Sequence, residues 1–179
     1  LQGNGSKDTR DLVIIQGSAL LVQSGKVKDS QEGMKLISEV LDNGLALRTF
    51  EKMCIAQGVT KEDAKTICQE PNLILPQSNF TTKFSSSESG YVSMIDSMAL
   101  AEIARKHGAG RFKLEDIIIP EIGFEVLVEQ NQQIGEGENW LVFHHNETLS
   151  EEEITQLNGS ISLENQVSGK ISRLISIIS

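Results

Sequence analysis

The stretch from Glu88 to Arg111 reads ESGYVSMIDSMALAEIARKHGAGR and contains the signals of a strand, a helix and a glycine loop. Tyr91–Ile95 is short and β-prone, and Asp96 stands where a helix cap is expected. The residues after the cap carry the apolar spacing of one helical face: Leu100, Ile103, Ala104 and His107. Gly108 predicts the end of that helix. The stretch therefore predicts a change from strand to helix to exposed loop within one compact domain.

Upstream of this stretch the patterns are helical. They predict four helices, over residues 11–24, 30–43, 45–57 and 60–70, with Gly25 as the stop of the first, Ser30 as the cap of the second and Thr60 as the cap of the fourth. The first segment is apolar nearly all round, and a helix without a polar face must be buried on every side. Residues 1–78 supply too few partners for that, so we expect this helix to need more protein than the segment itself provides.

Downstream of residue 78 the chain becomes β-rich. Strands are predicted at 80–85, 91–95, 124–128 and 140–144, and the tail 170–178 is expected to end as a strand. Ser150 and Glu153 form the pattern of a capping box. The helix that this box begins is expected to turn three side chains inward: Ile154, Leu157 and Ile161. We predict an α+β chain, with a helical segment at 1–78 and an antiparallel β-rich domain with two helices at 79–179.

Charge and composition exclude several classes of function. The net charge is −9 and the pI is near 4.8, which disfavours binding to nucleic acid or to an anionic membrane. No signal peptide and no apolar run of about 20 residues is present, so we expect a cytoplasmic protein. Cys54 and Cys68 are interpreted as buried structural thiols. No spacing predicts a metal site, and His144 and His145 are adjacent in a predicted strand, so their side chains point to opposite faces.

Four segments, in order, resemble the thymidine and pyrimidine-nucleoside phosphorylase family: Asp11–Val27, Val40–Gly58, Gly90–Arg111 and Gly123–His144. The second reads VLDNGLALRTFEKMCIAQG and the third contains GYVSMID and GAGR. One departure stands out, because the family often has Gly-Asp in the turn where this chain has Asn131-Gln132. The resemblance implies that residues 1–78 are the helical part of a larger α/β domain and that residues 79–179 are the C-terminal domain.

The resemblance also implies an activity, the phosphorolysis of pyrimidine nucleosides to free base and (deoxy)ribose 1-phosphate. The family's phosphate loop, Lys-x-Ser-x-Gly-Gly-x-Gly-Asp, and its base pocket lie further upstream, and neither pattern occurs in residues 1–179. We therefore expect no catalytic, cofactor-binding or metal-binding residue in this chain, and we expect it to be the C-terminal part of a longer enzyme. The implied partners are nucleoside and phosphate as co-substrate, the N-terminal half of the same protein, and a second copy in a homodimer.

One candidate site remains within the chain. Gly108, Ala109, Gly110 and Arg111 could form a loop at the edge of a cleft, since glycines permit movement and an arginine can bind phosphate. The alternative interpretation is a helix stop followed by a surface arginine. His107, His144 and Trp140 are interpreted as structural residues.

Two alternative functions stay open. The first is a non-catalytic fragment or interaction module that lacks the active site. The second is a swinging-arm carrier, which needs a lysine in an exposed hairpin, and no lysine lies around Met94.

Overall fold

The computed structural model describes residues 1–3, 5–167 and 169. They form two compact units, Leu1–Ile74 and the residues from Leu75 onward, here called unit 1 and unit 2. The strand predicted at 170–178 lies outside the described residues. Among the described helices, none combines the length and the apolar character needed to cross a bilayer.

Unit 1 is helical, and its elements are α1 (Lys7–Gln23), α2 (Ser30–Asp42), α3 (Leu45–Ala56), α4 (Lys61–Gln69) and a short 3₁₀ turn at Pro71–Leu73. All four predicted helices are present. Gly25, at φ 67°, ends α1 as predicted, and the Thr60 hydroxyl accepts a hydrogen bond from the Asp63 backbone N–H to cap α4. The predicted cap of α2 was wrong by one position: the Asp29 carboxylate accepts from the Glu32 N–H of the first turn at 2.9 Å, and Ser30 is already helical.

Burial in unit 1 is uneven. Val13 and Leu20 of α1 are 44% and 66% exposed, so the described residues do not bury this apolar helix on every side. The exposure agrees with the expectation that α1 needs more protein than residues 1–78 supply. Cys54 and Cys68 are buried free thiols. Burial, and then the nearby Glu51 carboxylate and the Cys54 side chain, raises the pKa of the Cys68 thiol. A raised pKa leaves little thiolate at neutral pH, which supports the structural interpretation of Cys68.

Unit 2 holds two antiparallel sheets of three strands each. Its strands are β1 (Phe80–Ser85), β2 (Gly90–Ile95), β3 (Gly123–Val126), β4 (Gln133–Ile134), β5 (Asn139–His145) and β6 (Ile161–Glu164), and its helices are α5 (Ser97–Ala104) and α6 (Glu151–Asn158). One sheet has the order β1-β5-β3 and the other the order β4-β2-β6. The predicted α+β class is confirmed.

The core of unit 2 is built on β5, the central strand of its sheet. Trp140, Leu141 and Phe143 are fully buried, and Ile103 of α5 and Leu157 of α6 pack into the same cluster. Phe143 lies between the two neighbouring strands in register, opposite Thr82 on one side and Phe124 on the other. Because the six consecutive residues of β5 from Trp140 to His145 are half-buried or buried, this strand and not a helix organises the unit.

The helix caps of unit 2 are found where they were predicted, but the predicted inward face of α6 is partly wrong. The Asp96 carboxylate accepts from two backbone N–H groups at the start of α5, and Ser150 and Glu153 form the predicted capping box of α6. Of the three side chains expected inward on α6, Leu157 is in the core and Ile161 is partly buried against it. Ile154 is 39% exposed, and Ile161 belongs to β6, opposite Ile95. The helix ends at Asn158, too early to carry a third inward turn.

Candidate functional site

The predicted glycine loop begins in a strained turn. The α-helical hydrogen bonding of α5 stops at Ala104, and Arg105–Ala109 forms a single wider turn of the π type. Inside it Gly108 has φ 104°, a conformation that side chains with a Cβ avoid. A Cβ there would also lie 2.7 Å from Cδ1 of Ile119. Only glycine fits this position without a shift of its neighbour.

The segment that follows is a closed loop, residues 109–118, here called the glycine loop. Its neck is closed by the Ile119 backbone N–H, which donates to the Gly108 carbonyl at 2.9 Å. Inside the loop, one carboxylate oxygen of Asp116 accepts from the backbone N–H groups of Phe112 and Lys113, both at 2.8 Å. The Arg105 guanidinium lies 4.3 Å from the centre of the Phe112 ring. These contacts give the loop a defined shape although most of its side chains are exposed.

The four residues predicted as a cleft edge are contiguous but have different surroundings. Ala109 packs on the core of unit 2, whereas the Arg111 side chain is exposed. Gly110 has an extended backbone, and a Cβ there would approach only the flexible Arg105 side chain, at 3.1 Å. Within the described residues, no hydrogen bond or ion pair to the Arg111 guanidinium is found. The Arg111 cation is exposed to water at the side of a shaped loop, where it can meet an anion but cannot by itself catalyse a reaction.

His107, directly before Gly108, forms a hydrogen bond to α6. Its Nε2 lies 3.3 Å from Oε1 of Glu153, and the side chains of His107 and Glu153 are only 5% and 15% exposed. Because a carboxylate only accepts, the His107 Nε2 carries the proton of this bond. The His107 Nδ1 is buried and has no partner among the described residues. The ring also contacts Phe143 edge-on, with centroids 5.2 Å apart.

The Glu153 carboxylate serves two partners at once. Its Oε2 accepts from the backbone N–H and the hydroxyl of Ser150, each at 3.0 Å, while Oε1 accepts from His107. The pKa of Glu153 is lowered, first by the bond from the Ser150 backbone; burial opposes the shift, and the Ser150 hydroxyl and His107 add to it. At neutral pH this residue is therefore a carboxylate held in one orientation.

The two adjacent histidines, His144 and His145, place their side chains on opposite faces of β5, as predicted. His145 is buried; its Nδ1 donates to the Glu147 carbonyl at 2.6 Å, and the Thr82 hydroxyl bonds its Nε2 at 2.8 Å. His144 is half-buried and lies on the other face of the strand. Both ring nitrogens of His145 are used in hydrogen bonds within unit 2, so His145 is a structural residue of this unit.

Sequence reasoning missed two contacts near the glycine loop. Glu153 was recognised as part of a capping box, but its second partner, 46 positions away, leaves no local signal. Asp116 accepts from backbone N–H groups three and four positions before it, whereas an Asx turn reaches two residues further on, so the usual turn signal does not reveal this contact. Elsewhere, a cavity of about 320 Å³ in unit 1 is lined mainly by apolar side chains and by Cys68. Among the described residues, no group of three His, Cys, Asp or Glu side chains is placed to hold a metal ion.

Comparison with known proteins places these features in a family. Residues 91–164 match the family model described as the pyrimidine nucleoside phosphorylase C-terminal domain. The chain is 32% identical over 176 residues to a thymidine phosphorylase of Mus musculus, which covers 96% of this chain and 37% of that protein. It is 32% identical over 148 residues to the thymidine phosphorylase of Homo sapiens, covering 80% of this chain and 31% of that protein.

A bacterial relative gives the same result. The chain is 29% identical over 167 residues to a pyrimidine-nucleoside phosphorylase of Staphylococcus aureus, covering 93% of this chain and 37% of that protein. The chain thus spans about a third of the length of the relatives it matches, and unit 2 contains the matched domain. This chain belongs to the thymidine and pyrimidine-nucleoside phosphorylase family, of which it carries the C-terminal domain.

Proposed function

We propose that the chain is the C-terminal part of a pyrimidine-nucleoside phosphorylase. In the reaction, a phosphate oxygen forms a bond to C1′ of the sugar while the bond from C1′ to the base nitrogen breaks. The base leaves with the electron pair of that bond and takes up a proton, and the products are free base and (deoxy)ribose 1-phosphate. Phosphate is a co-substrate, and we propose no further cofactor.

The observation that carries this proposal is the extent of the match. The similarity to the relatives named above runs along 93–96% of this chain for the mouse and the staphylococcal enzymes, so it includes unit 1 as well as the matched domain. A likeness confined to one small domain would support only a shared fold. A likeness through both units supports a shared enzyme.

We further propose that the groups which bind phosphate and base are supplied by protein outside this sequence. The described residues offer two exposed cations on a shaped loop, Arg111 and Lys113, and no hydrogen bond or ion pair to the Arg111 guanidinium is found among them. Phosphorolysis needs several preorganised contacts on the anion and on the developing sugar cation. In this proposal the Gly108–Arg111 segment forms one edge of the cleft, and Arg111 contributes to phosphate binding.

The proposed partners follow from the same reasoning. Val13 and Leu20 of α1 are exposed apolar side chains, which fits a helix that the preceding part of the same cytoplasmic protein covers. We propose a homodimer for the whole enzyme.

The test compares the 179-residue chain with the product of its longer coding sequence. Each is incubated with thymidine or uridine, with and without phosphate, and free base is measured by chromatography. We expect phosphate-dependent base release from the longer protein and none from the chain alone. Equal activity of the two proteins would overturn the assignment of the binding groups, and failure of the longer protein with both nucleosides would overturn the proposed reaction. In that second case the chain would be a non-catalytic interaction module.

A further inference from the structure

A row of hydrogen bonds links the start of α6 to the start of the glycine loop. Ser150 donates twice to Oε2 of Glu153, and His107 donates to Oε1 of the same carboxylate. Gly108 is the next residue along the chain. The bonds from Ser150 fix the orientation of the Glu153 carboxylate, and that carboxylate in turn holds His107, the residue before the loop hinge.

The burial of this link makes it costly to break. With His107 5% exposed and Glu153 15% exposed, neither side chain can replace its partner with water without moving. A buried group whose partner is removed keeps its full desolvation cost, which exceeds the net value of an ordinary hydrogen bond. The histidine ring therefore stays in place as long as the carboxylate is present.

The position of His107 controls the hinge of the loop. Gly108 takes the left-handed φ of 104°, and its carbonyl holds the neck by accepting from Ile119 at 2.9 Å. A rotation of the backbone at His107 would turn that carbonyl and open the neck. The direction in which the loop and Arg111 project thus depends on the side chain of the residue just before the glycine.

We propose that Glu153 and His107 form a latch that holds the glycine loop in one orientation, so that both are positioning residues for Arg111. The role of the latch in the reaction rests on the proposed function; the latch itself does not. Neither residue touches substrate. The latch keeps the exposed Arg111 guanidinium where an anion in the cleft would meet it. The loop then loses no further conformational entropy when an anion binds.

The competing explanation is that His107 only fills space. Its ring lies edge-on to Phe143 and to His145, with centroids 5.2 Å and 6.2 Å apart. Two variants separate the explanations. His107→Phe keeps an aromatic ring but loses the donor, whereas His107→Gln loses the ring but can place an N–H group near the position of Nε2.

The first experiment measures hydrogen exchange of backbone amides in the full 179-residue chain. For His107→Phe we expect the amides of residues 109–118 to exchange about tenfold faster, the value of one lost charge-assisted bond of roughly 1.4 kcal/mol. His107→Gln should stay near the wild-type rate. If His107→Phe exchanges like wild type, or if His107→Gln exchanges as fast as His107→Phe, the ring and not the bond holds the loop, and the latch is refuted.

Variants of α6 complete this experiment. The single carbonyl oxygen of Glu153→Gln cannot serve both Ser150 and His107, so loop exchange should rise in the wild-type background and should not rise further in the His107→Phe background. Glu152→Gln, an exposed neighbour on the same turn, is the matched control and should change nothing. Additive effects of Glu153→Gln and His107→Phe would mean that the two residues act separately, which also refutes the latch.

The second experiment uses the longer protein and measures kcat and the KM for phosphate. We expect His107→Phe to raise the phosphate KM several-fold and His107→Gln to restore it. If wild type shows no phosphorolysis, the proposed function fails while the exchange data still decide on the latch. If wild type is active and faster loop exchange leaves the kinetics unchanged, the positioning role is overturned.

Discussion

Gly33 of α2 lies against Ser18 of α1 so closely that a Cβ on Gly33 would fall 2.6 Å from the Ser18 Oγ and 3.0 Å from the Ser18 Cα. Ser18 is the buried residue of α1, and its hydroxyl donates to the Ser30 carbonyl at 2.8 Å. The two helices therefore meet through two small residues. This contact joins the apolar α1 to the amphipathic α2 that follows it in the chain.

Gly33→Ala should destabilise unit 1. The added methyl group meets the Ser18 backbone as well as its side chain, so the helices must separate, which typically costs about 1–3 kcal/mol. Chemical denaturation followed by circular dichroism measures the change. Gly123→Ala is the control, because nothing lies within 4 Å of a Cβ at that position and its φ is not positive. If Gly33→Ala is as stable as Gly123→Ala, the close approach of α1 and α2 is wrong.

The lowered pKa of Glu153 predicts a pH-dependent contribution to stability. A carboxyl whose pKa is lower in the folded state binds fewer protons there than in the unfolded chain, so its contribution is complete above the unfolded value of about 4.3 and is lost as the pH falls through the folded value. The difference in unfolding free energy between wild type and Glu153→Gln should therefore be largest above about pH 5 and shrink below about pH 4. Denaturation at a series of pH values measures it, with Glu152→Gln as control. A difference that grows as the pH falls would contradict the assignment.

Two phenylalanines of unit 2 should respond very differently to truncation. Phe143 is fully buried and stacks on Phe124 with ring centroids 4.1 Å apart, so Phe143→Ala should cost about 3–5 kcal/mol. Phe112 is 61% exposed and contacts the Arg105 guanidinium, so Phe112→Ala should cost no more than about 1 kcal/mol. Thermal and urea denaturation of the two variants give the comparison. Similar losses would mean that the core is not centred on β5.

Local signals were sufficient to predict most helix ends. The Ser150–Glu153 box, the Asp96 cap and the Gly25 stop each depend on a few neighbouring residues and were found at the expected places. The error at the start of α2 had the same local origin, since Asp29 and Ser30 are both good caps and only the backbone distinguishes them.

Long-range contacts could not be obtained in the same way. His107 was expected on the apolar face of the helix; it lies beyond the end of α5, in the Arg105–Ala109 turn, with its side chain buried. Nothing in the sequence indicated that its partner would be a capping glutamate 46 positions away. Similarly, the apolar pattern of α6 was extended through Ile161, because periodicity alone does not show where a helix gives way to a strand. The position of Ile161 is decided by its pairing with Ile95 across β2 and β6.

Replacing Arg111 should change the KM for phosphate and leave the KM for the nucleoside unchanged. In the longer protein, Arg111→Gln removes the cation that we propose at the cleft edge, and the KM for phosphate should rise roughly tenfold, as expected for one charge-assisted contact, while the KM for thymidine stays the same. Lys113→Gln removes a second exposed charge from the same loop and serves as the control. Steady-state kinetics with each substrate varied in turn measure both constants. Equal effects of the two variants would indicate a general field effect and would exclude a specific phosphate contact by Arg111.

Asn131 explains the departure from the family pattern and provides the last prediction. It is the non-glycine residue with a positive φ, 68°, among those described, and it stands in the turn where the family often has glycine. Asparagine tolerates this left-handed conformation better than other residues with a Cβ, and its Nδ2 donates to the Gly169 carbonyl at 2.9 Å. Asn131→Ala should therefore lose about 1–2 kcal/mol, whereas Asn131→Gly gives up the side-chain bond but relieves the backbone and should remain within about 0.5 kcal/mol of wild type. Urea denaturation of the three proteins measures the order. If Asn131→Ala proves as stable as Asn131→Gly, the turn does not require the left-handed backbone, and the substitution of Asn for Gly has no conformational cause.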